Sequence, residues 1–203
     1  MIIGVAGKSC SGKNYVVSYL EQEKHWQSID VDEVGHDVID QAASEVSRAF
    51  GSDVILPDGK VDRKAVGRIA FSDPAKLHAL ERIVHPKMVE KVIATVSECT
   101  SDVVIINAAI LHRMKLDRLC NAVIFVKCPF SVRWHRAYLR NGTSKDSYIR
   151  RCMSQRDINS RCFCPGIPVY VVDNGNNCNK MHRQINRICD KLFRSRETEV
   201  KHG

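Results

Sequence analysis

A chain of 203 residues, 44% hydrophobic and 27% charged, has the apolar material for one substantial core and is too hydrophobic to stay disordered. Its formal charge of +8 directs it toward anionic partners, and an aromatic content of only 6%, with no aromatics interleaved among basic residues, favours small polyphosphates over nucleic acid. No stretch approaches the roughly 20 apolar residues of a membrane span, and nine cysteines, an odd number behind no secretory signal, are expected to be reduced thiols in a cytoplasmic chain.

Residues 1–6 (MIIGVA) form a short apolar run that ends at glycine, the pattern of a buried strand feeding a turn. A helix is expected from Lys13 to about Glu23, then a short strand at 27–30 that ends on the acidic pair Asp30 and Asp32. Helical stretches follow at 37–50, 63–71 and 74–99. The runs at 103–107 (VVIIN) and 122–126 (AVIFV) are continuous, β-branched and apolar, as parallel strands covered on both faces require. A helix at 131–140 and a last strand at 168–172 (PVYVV), closed by Asp173-Asn174-Gly175, complete the pattern.

Strands alternating with helices predict an α/β fold with a five-stranded parallel sheet flanked by helices. The interval 36–99 holds no strand of that sheet and is expected to be a helical insertion above its carboxyl edge. Residues 139–165, arginine-rich and weak in apolar periodicity at their start, have the character of a mobile lid. The core then comprises about 1–35, 100–138 and 166–193 of a single domain. The polar end from Arg194 is expected to fray. Neither spacing nor composition selects an oligomeric state.

Gly7-Lys8-Ser9-Cys10-Ser11-Gly12-Lys13 satisfies G-x-x-x-x-G-K between a predicted strand and a predicted helix, the context a phosphate-binding loop needs. Glycines let successive N–H groups turn inward toward an anion, the helix N-terminus adds positive potential, and Lys13 reaches the β- and γ-phosphates of ATP. The motif ordinarily continues with Ser or Thr, whose hydroxyl meets Mg²⁺; here Asn14 follows, a carboxamide oxygen on a longer arm. Lys8 is a second cation in the loop. Asp32, at the end of the second strand, is the candidate base that orients and deprotonates an acceptor hydroxyl while helping to hold the metal. The alternative for Asp30 and Asp32 is helix capping. Cys162, Cys164, Cys178 and His182 lack the C-x-x-C knuckle of a zinc site.

These pieces, taken in order, resemble the dephospho-coenzyme A kinase family. The resemblance rests on the phosphate loop, Ile29-Asp30-Val31-Asp32, Phe50-Gly51, Asp58-Gly59, Arg63 and His85-Pro86. It continues through Arg136, Arg140-Asn141-Gly142-Thr143-Ser144, Arg151 with Gln155, and Val172-Asp173-Asn174-Gly175. It implies a P-loop nucleoside-triphosphate hydrolase type of core, an acceptor-binding helical region and a lid. It further implies Mg²⁺-dependent transfer of the ATP γ-phosphate to the ribose 3′-hydroxyl of dephospho-coenzyme A. On that likeness Asp32 matches the catalytic aspartate and Arg140 an arginine that meets the ATP phosphates. His85 and Arg63 fall in the acceptor region, and Asn174 and Gly175 lie beside the donor base.

The chain departs from the family pattern in two places. Lys8 and Cys10 stand where the loop usually has glycines. After the third strand, D-x-P-L-L-[FY]-E becomes Asn107-Ala108-Ala109-Ile110-Leu111-His112-Arg113, without its two acids and proline. Two alternatives follow from these departures: a kinase of another small hydroxyl acceptor, or a catalytically weakened nucleotide-binding homologue.

Overall fold

The computed structural model describes residues 1–175 and 177–200, with side chains through Arg194. The chain runs β1 (Ile2–Ala6), α1 (Lys13–Lys24), β2 (Gln27–Asp30), α2 (Val31–Gln41), α3 (Ala43–Phe50), α4 (Arg63–Ala70) and α5 (Pro74–Glu98). It continues with β3 (Val104–Asn107), β4 (Ala122–Lys127), α6 (Phe130–Asn141), α7 (Lys145–Ser154), β5 (Val169–Asp173) and α8 (Cys178–Val200). The five strands form one sheet in the order β2-β3-β1-β4-β5. Val5 lies beside Asn107 of β3 and Ile124 of β4, and Phe125 lies beside Val171 of β5, all in parallel register.

By contact the chain divides into two compact units, one of Met1–Ser28 with the chain from Ser101 onward, the other of Ile29–Thr100. In the first, β1 is central, and its apolar run is buried because both neighbours and both faces are covered. Ile3, Val5, Ile105, Ile124 and Val172 pack with Val16 and Leu20 of α1 and Ile185 of α8. Each such side chain contributes roughly 1.5–3 kcal/mol by leaving water. Gly4 is required by packing on β1: a Cβ there would stand 2.5 Å from Leu111 Cδ2.

The second unit buries Ala42, Val46, Val54, Val61 and Val66. A Cβ on Gly35 of α2 would meet Met88 Cε of α5 at 3.0 Å, so these two helices pack closely. Gly59 turns the chain at φ 82°, Val61 N–H donates to Asp40 Oδ1 at 3.0 Å, and the Ile55–Val61 bridge holds the turn's arms together.

The helix expected at 37–50 is two helices, the first beginning six residues earlier at Val31. Asp30 supplies the start signal by accepting the Asp32 N–H at 2.9 Å. Within the segment 139–165, Ser144 caps α7, and Tyr148 on that helix is completely buried. The last helix runs to Val200, and the residues beyond it, part of the end expected to fray, lie outside those described.

Candidate active site

Gly7 to Lys13 curl between the end of β1 and the start of α1, as the motif requires. The loop tightens through Ser11 N–H to Lys8 O at 3.0 Å and passes through the left-handed region at Cys10 (φ 60°) and Gly12 (φ 90°). Gly12 suits that conformation, and a Cβ there would also collide with the Asn174 carboxamide. Gly7 is required by closeness, since its Cβ would lie 2.5 Å from the Val126 carbonyl oxygen. Cys10 is the exception, an L side chain held where glycine is the natural occupant.

Three distant segments hold this loop by its main chain. Gln155 Oε1 accepts the Ser9 N–H at 2.8 Å, while Tyr148 Oη donates to Ser9 O at 3.0 Å. Asn174 Nδ2 donates to Ser11 O at 2.9 Å, and Arg136 Nη1 donates to the same oxygen at 3.3 Å. Arg136 also donates to Asn174 Oδ1 at 3.3 Å and to Gly175 O at 3.0 Å. Arg136 therefore ties the phosphate loop to the turn after β5. Asn174 is itself placed by its N–H on Lys127 O at 2.8 Å. Arg140 lies four residues on from Arg136, exposed in the last turn of α6.

Of the sequence-chosen residues, the structure brings Gly7 to Asn14 together with Asn174 and Gly175. Arg136, Tyr148 and Gln155 were not singled out for a site. Arg136 and Gln155 appear only as pieces of the family resemblance, and the spacing of Arg136 four residues before Arg140 was the signal that could have marked it. Tyr148 carries no such signal, because its partner Ser9 is 139 residues away. Burial pushes the Tyr148 hydroxyl's pKa well up, so it remains a donor at neutral pH.

Asn14 is exposed at the second position of α1, and its Oδ1 accepts from Asn107 Nδ2 at 3.2 Å. A hydroxyl and a carboxylate of the family pattern are thus replaced by a pair of carboxamides in contact. The other end of the altered segment also carries new chemistry. His112 Nε2 is 2.8 Å from Asp157 Oδ2, and Arg113 forms a bidentate pair with that carboxylate at 2.7 and 2.6 Å. Hydrogen bonds from the Arg113 guanidinium, with a lesser one from His112, hold the Asp157 pKa far below the usual carboxylate range.

The remaining candidates belong to the Ile29–Thr100 unit and stand on three of its helices. Asp32 is exposed in the first turn of α2, and its carboxylate takes no hydrogen bond among the described residues, whereas Asp30 is the cap. Arg63 is exposed at the first position of α4, which Asp62 caps. His85 is half-buried in α5 just before the internal Pro86.

All nine cysteines are free thiols. His182 stacks on Tyr19, with ring centres 4.1 Å apart, and its Nε2 lies 3.1 Å from Tyr15 Oη. No cluster of three or more potential metal ligands occurs among the described residues, nor a helix long and apolar enough to cross a membrane.

The family model for dephospho-CoA kinases matches residues 1–180. A dephospho-CoA kinase from Carboxydothermus hydrogenoformans is 29% identical over 196 residues, covering 94% of this chain and 93% of that protein. One from Dehalococcoides mccartyi is 32% identical over 183 residues, covering 87% and 89% respectively. A crystal structure from Thermus thermophilus superposes with a TM-score of 0.77 at 24% identity, covering 95% of this chain and 97% of the other, and supports the fold.

Proposed function

The chain belongs to the dephospho-CoA kinase family, and on that premise we propose that it transfers the ATP γ-phosphoryl group to the ribose 3′-hydroxyl of dephospho-coenzyme A. The observation that carries this is a Gly7-to-Lys13 loop, pinned by Arg136 and Asn174, in a chain matched to the family over residues 1–180. The last step of coenzyme A assembly is the corresponding metabolic role.

In this reading the loop's N–H groups and Lys13 take the β- and γ-phosphates, and Arg140 meets the charge that develops as the phosphoryl group leaves. Asp32 orients the acceptor hydroxyl and accepts its proton, a role supported by the division of labour that leaves Asp30 as the helix cap. The segment 36–99, with Arg63 and His85, is proposed to bind the acceptor, and 139–165 to act as the lid.

The oxygen donors present are of the kind magnesium takes. Asn14 is exposed, and its Oδ1 keeps a lone pair beyond the one that accepts from Asn107. Asn14 and Asp32 would hold the ion, which supplies charge neutralisation at the phosphate oxygens when bound.

The test is a coupled assay of purified protein with ATP, Mg²⁺ and dephospho-coenzyme A, followed by mapping of the new phosphate to the ribose 3′ position. Turnover of that acceptor in preference to other hydroxyl compounds is expected. ATP binding without turnover would overturn the proposal in favour of a catalytically weakened homologue.

A further inference from the structure

Beneath the phosphate loop lies a cavity of about 350 Å³ whose walls carry Lys8, Lys127 and Arg133 and no acidic side chain. Of the residues assigned to ATP above, Lys8 and Ser11 line it, whereas Gly12, Lys13, Asn14, Asn174 and Gly175 do not. Phe125 and Val171, paired neighbours on β4 and β5, contribute apolar surface.

Arg133 is 7% exposed, yet no carboxylate pairs with it among the described residues. Its Nε donates to Cys128 O at 3.1 Å, its Nη1 to Tyr148 Oη at 3.1 Å, and its guanidinium lies 5.9 Å from the Phe130 ring centre. These contacts satisfy donors without neutralising the charge, and a buried charge ordinarily has a counter-charge. Lys8 and Lys127 form no ion pair among the described residues, so the three cationic residues that line the cavity have no counter-charge among them.

An independent observation concerns Ser11. It lines the same cavity and is 1% exposed, and its Oγ has no hydrogen-bond partner among the described residues. A buried hydroxyl left unpaired costs roughly 1–3 kcal/mol.

We propose that this cavity is a second binding site, distinct from the nucleotide site, for a compact organic anion: a phosphate, phosphonate or carboxylate on a short apolar body. The anionic head meets Lys8, Lys127 and the buried Arg133, and the body lies against Phe125 and Val171. Lys8 and Ser11 belong to the phosphate loop, so an occupant of this site touches the element that binds ATP.

Phenylphosphonate is a suitable probe because it joins such a head to an aromatic body and cannot be hydrolysed as a phosphate ester. Calorimetric titration into protein saturated with ADP is expected to show one site. Benzyl alcohol, the neutral comparison, should bind at least tenfold more weakly, and inorganic phosphate should show what the head alone contributes.

Lys127→Met and Val171→Asp are each expected to weaken phenylphosphonate at least tenfold while leaving ADP affinity and melting temperature unchanged. Displacement of phenylphosphonate by ADP would place the cavity within the nucleotide site and overturn the proposal, as would equal affinity in both variants or no binding at all. ADP affinity is read in the same titrations, so loss of the kinase reading and loss of this one are separately visible.

Discussion

Asn107 Nδ2 donates to Asn14 Oδ1 at 3.2 Å, joining the residue after the phosphate-loop lysine to the last residue of β3. In the family pattern these positions carry a hydroxyl and a carboxylate. The two replacements match each other, since one carboxamide donates where the other accepts. The proposed metal environment has thereby lost a negative charge at position 107. Restoring both groups in Asn14→Ser with Asn107→Asp is expected to lower the half-saturating Mg²⁺ concentration at least fivefold. The two changes should be non-additive by roughly 0.5–3 kcal/mol, as contacting residues are. Mg²⁺ titration of turnover and Mn²⁺ binding by electron paramagnetic resonance both measure this, and unchanged metal affinity in the double variant would count against it.

Arg136 reaches acceptors on two separate loops, Ser11 O on one side and Asn174 Oδ1 with Gly175 O on the other. A lysine keeps the charge but cannot span three acceptors with one ammonium. Arg136→Lys is therefore expected to raise the ATP Kd about tenfold, corresponding to roughly 1.4 kcal/mol. Arg140→Lys, on the exposed last turn, is expected to lower kcat with a smaller effect on Kd. Calorimetry beside steady-state kinetics separates the two, and equal effects on both parameters in both variants would merge the roles.

The elements that local chemistry dictates were legible in the sequence. The strand at Ile2–Ala6 and the loop before Lys13 announce themselves by an apolar run, glycine and lysine within a few residues. The start of α2 was not legible, because an aspartate that caps a helix and one that serves a site look alike until a hydrogen bond distinguishes them. The supports of the phosphate loop were hidden for another reason. Gln155 and Tyr148 act on Ser9 across 146 and 139 residues, and neither residue type is unusual where it stands. The charge of Arg133 likewise gains its meaning only in space, where no acid lines the cavity beside it among the described residues.

The Arg113–Asp157 pair should make stability depend on acid. The Asp157 pKa is lowered in the folded chain, so its contribution is complete above the unfolded carboxylate pKa near 3.9 and disappears as pH falls through the folded value. The Asp157 side chain is 44% exposed, so solvent screening limits the pair's worth to roughly 1 kcal/mol. Asp157→Asn is expected to cost about that amount from pH 5 to 7 and progressively less below pH 4. Denaturant unfolding across this range checks the slope; a penalty that grows toward acid would contradict the assignment.

Cys10 at φ 60° holds a conformation that costs an L residue roughly 1–2 kcal/mol. Glycine removes that strain but has more freedom to lose on folding, by roughly 0.5–1 kcal/mol. Cys10→Gly is accordingly expected to gain about 0.5 kcal/mol and raise Tm by roughly 1–2 °C. Lys8→Gly is the control: Lys8 is not among the residues of positive φ, so no such gain is expected there. A calorimetric melt in which Cys10→Gly is less stable than the parent would show that the thiol's packing outweighs its strain.

The acidic pair after β2 provides the sharpest separation of structure from chemistry. Asp30 accepts the Asp32 N–H, and the loss of such a cap costs roughly 1 kcal/mol of stability. Asp32 is exposed and its carboxylate takes no hydrogen bond among the described residues, so Asp32→Asn should leave Tm within about 1–2 °C. If Asp32 accepts the acceptor's proton and helps to hold magnesium, the same substitution lowers kcat by at least about 100-fold. Asp30→Ala should behave oppositely, with a lower Tm and a kcat that changes less than about tenfold under conditions where the variant is folded. Thermal melts beside single-turnover phosphoryl transfer test both halves. Asp32→Asn turning over at the parental rate would remove Asp32 from the chemistry, whatever its place in the motif.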